Sequence, residues 1–211
     1  MLQVTQPRYN ATELSEKDNL TNPKKWTILL TVNEAFFDFF ENWWLYFRKL
    51  DLTVNVIVIA EDEIVFAKLK EKYSRPLVEI IRSWIINISS PLVWNSIGYR
   101  QMASARPVYI LKYLKESINI LYTDVDTVFL QNPFKYFTGN FDMWSQSEDK
   151  GICAGFTAYR SSSRTVKLVE NWLKRLSKRL QINQPALNEE IRTVDDWARF
   201  NKEKQSPNML V

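Results

Sequence analysis

Two apolar runs, each followed by a segment of helical length, constrain the fold of this chain more than any other feature of its sequence. Residues 26–32 and 54–60 are largely apolar and rich in β-branched side chains, as strands buried on both faces of a parallel sheet are. Residues 35–50 and 62–73 follow these runs and have the length and apolar content of helices. The order strand, helix, strand, helix predicts an α/β fold with a mostly parallel sheet flanked by helices.

The rest of the chain predicts one domain that continues with the same kinds of element. A length of 211 residues is that of a single domain, which we expect to span residues 26–211 after a polar lead-in or stem at residues 1–25. Residues 76–94 are interrupted by prolines and serines and predict no clear element. Further strands are predicted at residues 118–122, 141–146 and 152–159, and further helices at residues 95–115, interrupted by Pro107, at 164–180 and at 185–200.

The composition excludes several classes of active site. The chain has no histidine, which excludes Ser-His-Asp catalysis and His-ligated metal sites, and its single cysteine excludes a disulfide framework and a zinc cluster. Its four glycines are spaced so that neither a G-x-G-x-x-G turn nor a Walker loop can form. Any chemistry must therefore use carboxylates, amides, hydroxyls, Lys and Arg. The net charge of +4 suits an anionic ligand but is too small to indicate nucleic acid, which we do not expect as a partner.

Two carboxylates lie where an open α/β sheet binds its ligand. Asp124 and Asp126 directly follow the predicted strand at residues 118–122, and such sheets bind ligands at the carboxyl ends of their strands. Carboxylate oxygens favour a hard divalent cation such as Mg²⁺ or Mn²⁺. A cation between these carboxylates and a diphosphate would turn their mutual repulsion into attraction. The pair therefore predicts a metal site, although an acidic surface turn without metal would use the same two residues.

The same segment permits a second enzymatic interpretation. Residues 119–128, NILYTDVDTV, also resemble the phosphatase motif of the haloacid dehalogenase family, in which Asp124 would be the phosphorylated nucleophile and Asp126 the acid/base. That chemistry needs a second acidic pair after a later strand, and the candidate, Asp195-Asp196, follows a charged segment of helical character. Two strand–helix units precede the motif, whereas that family usually carries its nucleophile on the first core strand. We therefore rank this interpretation second.

The segment around the two aspartates also resembles a known glycosyltransferase family. Residues 121–134, LYTDVDTVFLQNPF, resemble the nucleotide-diphospho-sugar transferase domain of glycosyltransferase family 77, which includes plant rhamnogalacturonan-II xylosyltransferases and cell-wall arabinosyltransferases. The resemblance covers roughly residues 26–200 in the right order. Its other matches are Thr31-Val-Asn33, Asn42-Trp43, Arg106-Pro107, Phe141-Asp142, Gln146-Ser147, Cys153-Ala-Gly-Phe156 and Asn171-Trp172-Leu173.

The resemblance implies a fold, a donor and a set of donor-binding residues. It implies the GT-A fold, incomplete at its C-terminus in this chain, with a UDP-sugar donor and Mn²⁺ or Mg²⁺ bound by Asp124 and Asp126. Thr31 and Asn33 would lie at the nucleotide base and ribose, and Arg106 would steady the donor sugar or phosphate, a role that its fixed charge suits. On the strand that would line the acceptor side, Gly155 would allow close approach of the substrate.

The resemblance further implies residues that act at the anomeric carbon. Gln184 would lie near that carbon with Asn188 supporting it, and the reaction would retain the anomeric configuration. Relatives often carry Asp where this chain has Asn183, and an amide can hydrogen-bond a developing oxocarbenium ion but stabilises its charge less than a carboxylate does. Asp149 is a nearby carboxylate that could serve instead.

Two features of the family are missing from this sequence, and they bear on its function. Relatives commonly supply a third metal ligand, often His, from a segment near the C-terminus, and they usually carry an N-terminal membrane anchor in the secretory pathway. We interpret the chain as a fragment of such an enzyme that transfers xylose or arabinose to a glycan or glycoprotein in the Golgi lumen and that lacks the anchor. A homologue that binds nucleotide sugars without catalysis is the alternative within the same family.

Overall fold

A computed structural model shows one mixed sheet with helices on both of its faces. The structure describes residues 2–5, 20–149, 151–178, 182–193 and 199–202. The strands are β1 (Leu2–Thr5), β2 (Trp26–Val32), β3 (Asn55–Ala60), β4 (Val78–Arg82), β5 (Asn119–Thr123), β6 (Phe141–Glu148), β7 (Gly151–Tyr159) and β8 (Arg199–Lys202). The helices are α1 (Phe37–Lys49), α2 (Glu63–Tyr73), α3 (Ile97–Lys115), α4 (Ser163–Lys178) and α5 (Asn183–Thr193).

The sheet has a parallel half and a mixed half. Its strand order is β4-β3-β2-β5-β7-β6-β1-β8, and β4, β3, β2 and β5 pair in parallel. Each further neighbour along the order pairs antiparallel, so β7 and β1 run opposite to the other six strands. The prediction of a mostly parallel, Rossmann-like sheet flanked by helices is therefore confirmed. The chain adds β3 and β4 on one side of β2 and then places β5 on the other side. Where neighbouring strands are connected in opposite directions in this way, a crevice opens at their carboxyl ends.

The two faces of the sheet support separate hydrophobic clusters. Side chains of β2 alternate between them, with Ile28 and Leu30 in the cluster beneath α1 and α2, and Leu29 in the cluster beneath α3, α4 and α5. The first cluster is dominated by aromatic rings, among them Trp26, which is 1% exposed, and Trp43, which is 0% exposed. The high aromatic content of the sequence thus serves mainly to fill this core, where bulky rings contribute much of the buried apolar area.

Most of the predicted elements are present, with differences at two helices. Helix α3 runs without a break through Pro107, whereas the sequence predicted an interruption there. The last predicted helix begins at Asn183 rather than at residue 185 and ends at Thr193, and its expected last residues, Arg199 and Phe200, lie in β8. That strand pairs with β1, so a non-local partner overrides the local helical pattern.

Two parts of the chain without a predicted element contain strands. Within residues 1–25, Leu2–Thr5 forms β1, whose four residues alternate over too short a length to identify a strand from sequence. Within residues 76–94, β4 forms the parallel edge of the sheet beside β3. Among the described residues, no helix combines the length and the apolar character that a membrane crossing requires.

Candidate functional site

A cavity of about 270 Å³ opens at the carboxyl ends of β2, β3 and β5. Thr31 lies near the end of β2, Glu61 directly follows β3, and Asp124 directly follows β5. The structure brings together in this cavity five of the residues predicted from sequence: Thr31, Asn33, Arg106, Asp124 and Asp126. The remaining cavity wall consists of Val32, Phe36, Glu61, Leu92, Trp94, Tyr99, Met102 and Val125.

The turn after β5 fixes the position of Asp124. Its backbone N–H donates to the carbonyl of Gly155 on β7 at 2.7 Å, and its own carbonyl accepts from the N–H of Thr127 at 3.2 Å. The Tyr122 hydroxyl donates to the Oδ1 of Asp124 at 3.2 Å, and the guanidinium of Arg106 forms an ion pair with the same oxygen. The carboxylate is therefore oriented before any ligand arrives.

Gly155 permits this arrangement because it has no side chain. A Cβ built at position 155 would lie 2.9 Å from the Cγ of Asp124 and closer still to its Oδ2, a separation that real Cβ atoms do not show. β7 pairs directly with β5, with Phe156 opposite Thr123, so the glycine faces the turn that carries the aspartate. The structure thus places Gly155 against Asp124, as a residue that makes room for the carboxylate.

Arg106 combines burial with close contact to a carboxylate and an aromatic ring. Its side chain is 16% exposed, and its guanidinium lies 4.7 Å from the centre of the Tyr122 ring. Burial alone would lower the pKa of Arg106, but the negative charge of Asp124 raises it above its usual value. Arg106 therefore stays charged, and its buried Nε is without a hydrogen-bond partner in the described part of the chain.

The two aspartates can hold a divalent cation. Asp124 and Asp126 both line the cavity. Partial burial raises the pKa of Asp126, and the negative charge of Asp124 raises it further. A cation between them would relieve that repulsion, and Mg²⁺ is commonly bound by one or two carboxylates together with phosphate oxygens and water. Within the described ranges no group of three or more His, Cys, Asp or Glu side chains is arranged as a metal site. The residues thus fit a cation that shares its coordination with a phosphorylated ligand.

Glu61 is a cavity residue that sequence reasoning missed. It is 3% exposed, and burial raises its pKa to about 8, although a hydrogen bond with Thr31 and the charge of Arg106 oppose that shift. Its position after β3 could have identified it. An acidic residue after the second strand of a Rossmann-like unit commonly contacts a nucleotide ribose. The neighbouring Asp62 instead caps α2, by accepting from the N–H of Val65 at 2.9 Å.

Asn33 is a buried residue of the cavity wall. Its side chain is 1% exposed, and its Nδ2 donates to the carbonyl of Ser90 at 3.3 Å. Its Oδ1 is buried and has no hydrogen-bond partner among the described residues. A buried acceptor without a partner raises the free energy of the folded protein by about 1–3 kcal/mol unless a ligand donates to it.

The residues predicted to act at the anomeric carbon lie on α5, except Asp149, which lies in the turn before β7. The Oε1 of Gln184 accepts from the N–H of Ala154 at 3.0 Å, and its Nε2 donates to the Oε2 of Glu148 at 2.7 Å. Asn188 supports this contact through Nδ2, which donates to the Gln184 carbonyl at 3.0 Å. The carboxylate that touches Gln184 is therefore Glu148, whereas Asp149 is exposed in the turn between β6 and β7.

Asn183 is turned toward the interior of the protein. It is 3% exposed, and its Nδ2 donates to the carbonyl of Ala103 on α3 at 3.2 Å. Its own carbonyl accepts from the indole N–H of Trp172 at 2.9 Å. These contacts give Asn183 a role in joining three helices, and it does not line the cavity.

Comparison with known sequences matches a segment of the chain that contains Arg106, Asp124 and Asp126. The sequence model described as nucleotide-diphospho-sugar transferase matches residues 51–200. UDP-D-xylose:L-fucose alpha-1,3-D-xylosyltransferase 3 of Arabidopsis thaliana is 26% identical over 195 residues, which cover 83% of this chain and 49% of that protein. UDP-galactose:fucoside alpha-3-galactosyltransferase of Dictyostelium discoideum is 32% identical over 90 residues, or 37% of this chain and 14% of that protein. The chain thus spans about half the length of the xylosyltransferase that it resembles.

Comparison with solved structures supports the fold. The glycosyltransferase GlyE of Streptococcus pneumoniae TIGR4 superimposes with a TM-score of 0.53 at 15% identity, over 82% of this chain and 44% of its own. The PaToxG glycosyltransferase superimposes with a TM-score of 0.53 at 12% identity, over 84% of this chain and 74% of its own. At these identities the likeness concerns the fold alone, and it is that of GT-A glycosyltransferases, as the sequence resemblance implied.

Proposed function

Because the chain belongs to the nucleotide-diphospho-sugar transferase family, we propose that it transfers a sugar from a UDP-sugar donor to a hydroxyl group of a glycan or glycoprotein. The observation that carries this proposal is the cavity at the ends of β2 and β5, which Asp124 and Asp126 share with Thr31 and Asn33. A nucleoside diphosphate needs a site that neutralises its phosphates and hydrogen-bonds its nucleoside, and this cavity offers groups for both.

Different residues of the chain would bind the diphosphate and the nucleoside of the donor. Asp124 and Asp126 would hold a Mn²⁺ or Mg²⁺ ion, which when bound supplies the positive charge that stabilises the departing diphosphate. Arg106 holds Asp124 in place and adds a second permanent positive charge at the same point. Thr31 and Asn33 would bind the nucleoside.

The far side of the turn after β5 would receive the transferred sugar. Gly155 on β7 leaves the space that the Asp124 carboxylate occupies. Gln184 on α5 contacts the preceding residue of that strand by accepting from the N–H of Ala154. We assign Gln184 the position near the anomeric carbon, and its contact with Glu148 makes Glu148 a better candidate than Asp149 for a supporting carboxylate. Retention of the anomeric configuration is proposed on the family resemblance.

The donor sugar, acceptor and compartment are proposed from relatives. The names of these relatives specify UDP-xylose or UDP-galactose as donor and fucose or a fucoside as acceptor. UDP-xylose is therefore the first donor to test, followed by UDP-galactose and the UDP-arabinose expected from the sequence resemblance. We propose the Golgi lumen as the compartment on the resemblance to that family.

The phosphatase alternative is less well supported. The matched family segment, residues 51–200, contains Asp124 and Asp126 and describes sugar transfer. β5, which would carry the phosphatase nucleophile, follows three strands of the parallel half of the sheet along the chain. The second acidic pair required by that chemistry, Asp195-Asp196, lies outside the described residues.

A thermal-shift experiment tests the proposed function. We expect UDP and Mn²⁺ together to raise the melting temperature of the wild-type protein by several degrees and more than either alone, since ligands that bind the folded state stabilise it. Asp126→Asn should abolish the joint effect while leaving the unliganded protein folded, whereas the exposed control Asp149→Asn should retain it. Release of UDP from UDP-xylose by the wild type distinguishes an enzyme from a non-catalytic binder. A wild-type protein with no joint shift would contradict the proposal.

A further inference from the structure

An aromatic side chain at the rim of the cavity is left largely open to solvent. Trp94 lies in the loop between β4 and α3, lines the cavity and is 68% exposed. Its ring lies 4.6 Å from the ring of Tyr99, which lines the same cavity. Most tryptophans of folded proteins are well covered, so a mainly exposed one at the rim of a cavity indicates a surface that a ligand covers.

The loop that carries Trp94 is fastened to the ends of the neighbouring strands. The N–H of Ile88 donates to the carbonyl of Glu61 at 3.0 Å, and the carbonyl of Ser89 accepts from the N–H of Ala35 at 3.1 Å. These bonds, with the contact from Asn33 to Ser90, hold the loop across the ends of β3 and β2.

Hydrogen bonds also fix the residues that follow Trp94. Ser96 caps α3 by accepting from the N–H of Tyr99 at 3.2 Å, and Arg100 donates to the Oδ1 of Asn95 at 2.9 Å. The indole is therefore presented by a fixed backbone, which reduces the entropy lost when a ligand packs on it.

The strand order determines which part of the donor lies nearest to Trp94. Asp124 and Asp126 follow β5 and would hold the diphosphate, so the two ends of the donor extend from β5 in opposite directions along the sheet. Gly155 and β7 lie on one side of β5, whereas β2 and β3, with the loop that carries Trp94, lie on the other. With the sugar on the side of β7, the nucleoside occupies the side of Trp94.

We propose that Trp94, backed by Tyr99, is the surface on which the nucleobase of the donor stacks, an inference that rests on the proposed function. Every nucleobase has a flat π-face, and stacking on an aromatic side chain stabilises binding without reading the base. The unpartnered Oδ1 of Asn33 supplies the complementary contact, because it accepts from an N–H on the edge of the base. A base with an N–H in its ring, such as uracil, can both stack on Trp94 and donate to the Oδ1 of Asn33.

Calorimetric titration of three variants tests this assignment. The ligands are UDP with Mn²⁺ and, as a probe without a base, inorganic pyrophosphate with Mn²⁺. Trp94→Ala should weaken UDP binding about 10- to 100-fold and leave pyrophosphate binding unchanged, whereas Trp94→Phe should stay within about threefold of the wild type. Trp84→Ala is the matched control, since Trp84 is an exposed tryptophan of the same loop that packs on Tyr109 and is not part of the cavity wall.

Each other outcome has a defined meaning. Unchanged UDP affinity in Trp94→Ala overturns the assignment, and a raised KM for the acceptor in that variant would move the stacking surface to the acceptor. Equal weakening of UDP and pyrophosphate also overturns it, because the variant would then have disturbed the cavity as a whole. Failure of the wild-type protein to bind UDP with Mn²⁺ contradicts the proposed function itself, a result that the variants do not affect.

Discussion

The carbonyl of Ala103 cannot receive the hydrogen bond that a regular helix would supply four residues later, because that position is Pro107. The Nδ2 of Asn183 donates to this carbonyl instead, from another helix. An aspartate at position 183 would have no N–H to donate and would add a buried charge beside a carbonyl oxygen. This contact gives a physical reason for an amide at a position where the family resemblance implies a carboxylate.

We expect Asn183→Ala to lower the free energy of unfolding by about 1–3 kcal/mol, because it leaves a buried carbonyl without a donor. In a Pro107→Ala background the loss should be much smaller, since the alanine introduced there would supply a backbone N–H to the same carbonyl. Urea denaturation of the four proteins of this double-mutant cycle measures the coupling. Additive effects of the two substitutions would contradict the assignment.

At the scale of elements, α5 is attached to β7 by two amide side chains one helical turn apart. Gln184 accepts from the N–H of Ala154, and Asn188 accepts from the N–H of Ile152 at 2.8 Å while donating to its carbonyl at 2.9 Å. The amide side chains of α5 therefore bond to backbone groups at the end of β7 that a neighbouring strand would otherwise pair with. The position of Gln184 depends on this docking.

Asn188→Ala should loosen that docking. We expect the backbone amide of Ile152 to exchange with solvent about tenfold faster, because its N–H loses its acceptor, and the joint stabilisation by UDP and Mn²⁺ to persist, since the diphosphate site lies on β5. Hydrogen exchange followed by NMR reports the first effect and the thermal shift the second. Asn171→Ala, on the neighbouring helix α4, is the control and should leave Ile152 unchanged.

The elements that could be predicted from sequence are those whose pattern is local. The β-branched runs of β2 and β3 and the aspartates after β5 needed only neighbouring residues, so their positions were predicted correctly. The loop with Trp94 and the strand β1 are placed by bonds to distant segments, such as that between Ile88 and Glu61, and no local periodicity marks them. The same holds for Asn183, whose partner on α3 is 80 residues away in sequence.

At the scale of the whole molecule, one buried carboxyl group links stability to pH. Burial raises the pKa of Glu61 from 4.5 to about 8, so the folded protein binds a proton there more tightly than the unfolded chain does. The contribution of this group is fully present below pH 4.5 and is lost as the pH rises through 8. Between these values the free energy of unfolding should fall by up to about 1.4 kcal/mol per pH unit.

Glu61→Gln should remove this dependence, because an amide keeps a similar shape and does not ionise. Relative to the wild type, the variant should gain roughly 2–4 kcal/mol of stability between about pH 5 and pH 8, as measured by denaturant titration at each pH. Glu71→Gln, at an exposed position of α2, provides the control and should follow the wild-type profile. Parallel profiles for the wild type and Glu61→Gln would show that Glu61 is ionised in the folded protein.

The turn that carries the two aspartates has the hydrophobic core directly behind it. Val125, between the two aspartates, is 9% exposed, and Phe129, three residues after Asp126, is 3% exposed and lies 5.8 Å from the rings of both Trp43 and Phe156. Displacing this turn would draw an aromatic ring out of the packing between α1 and β7. The acidic groups therefore have no separate, low-energy opening motion, and heat should disorder them only in the same cooperative transition that melts the interior.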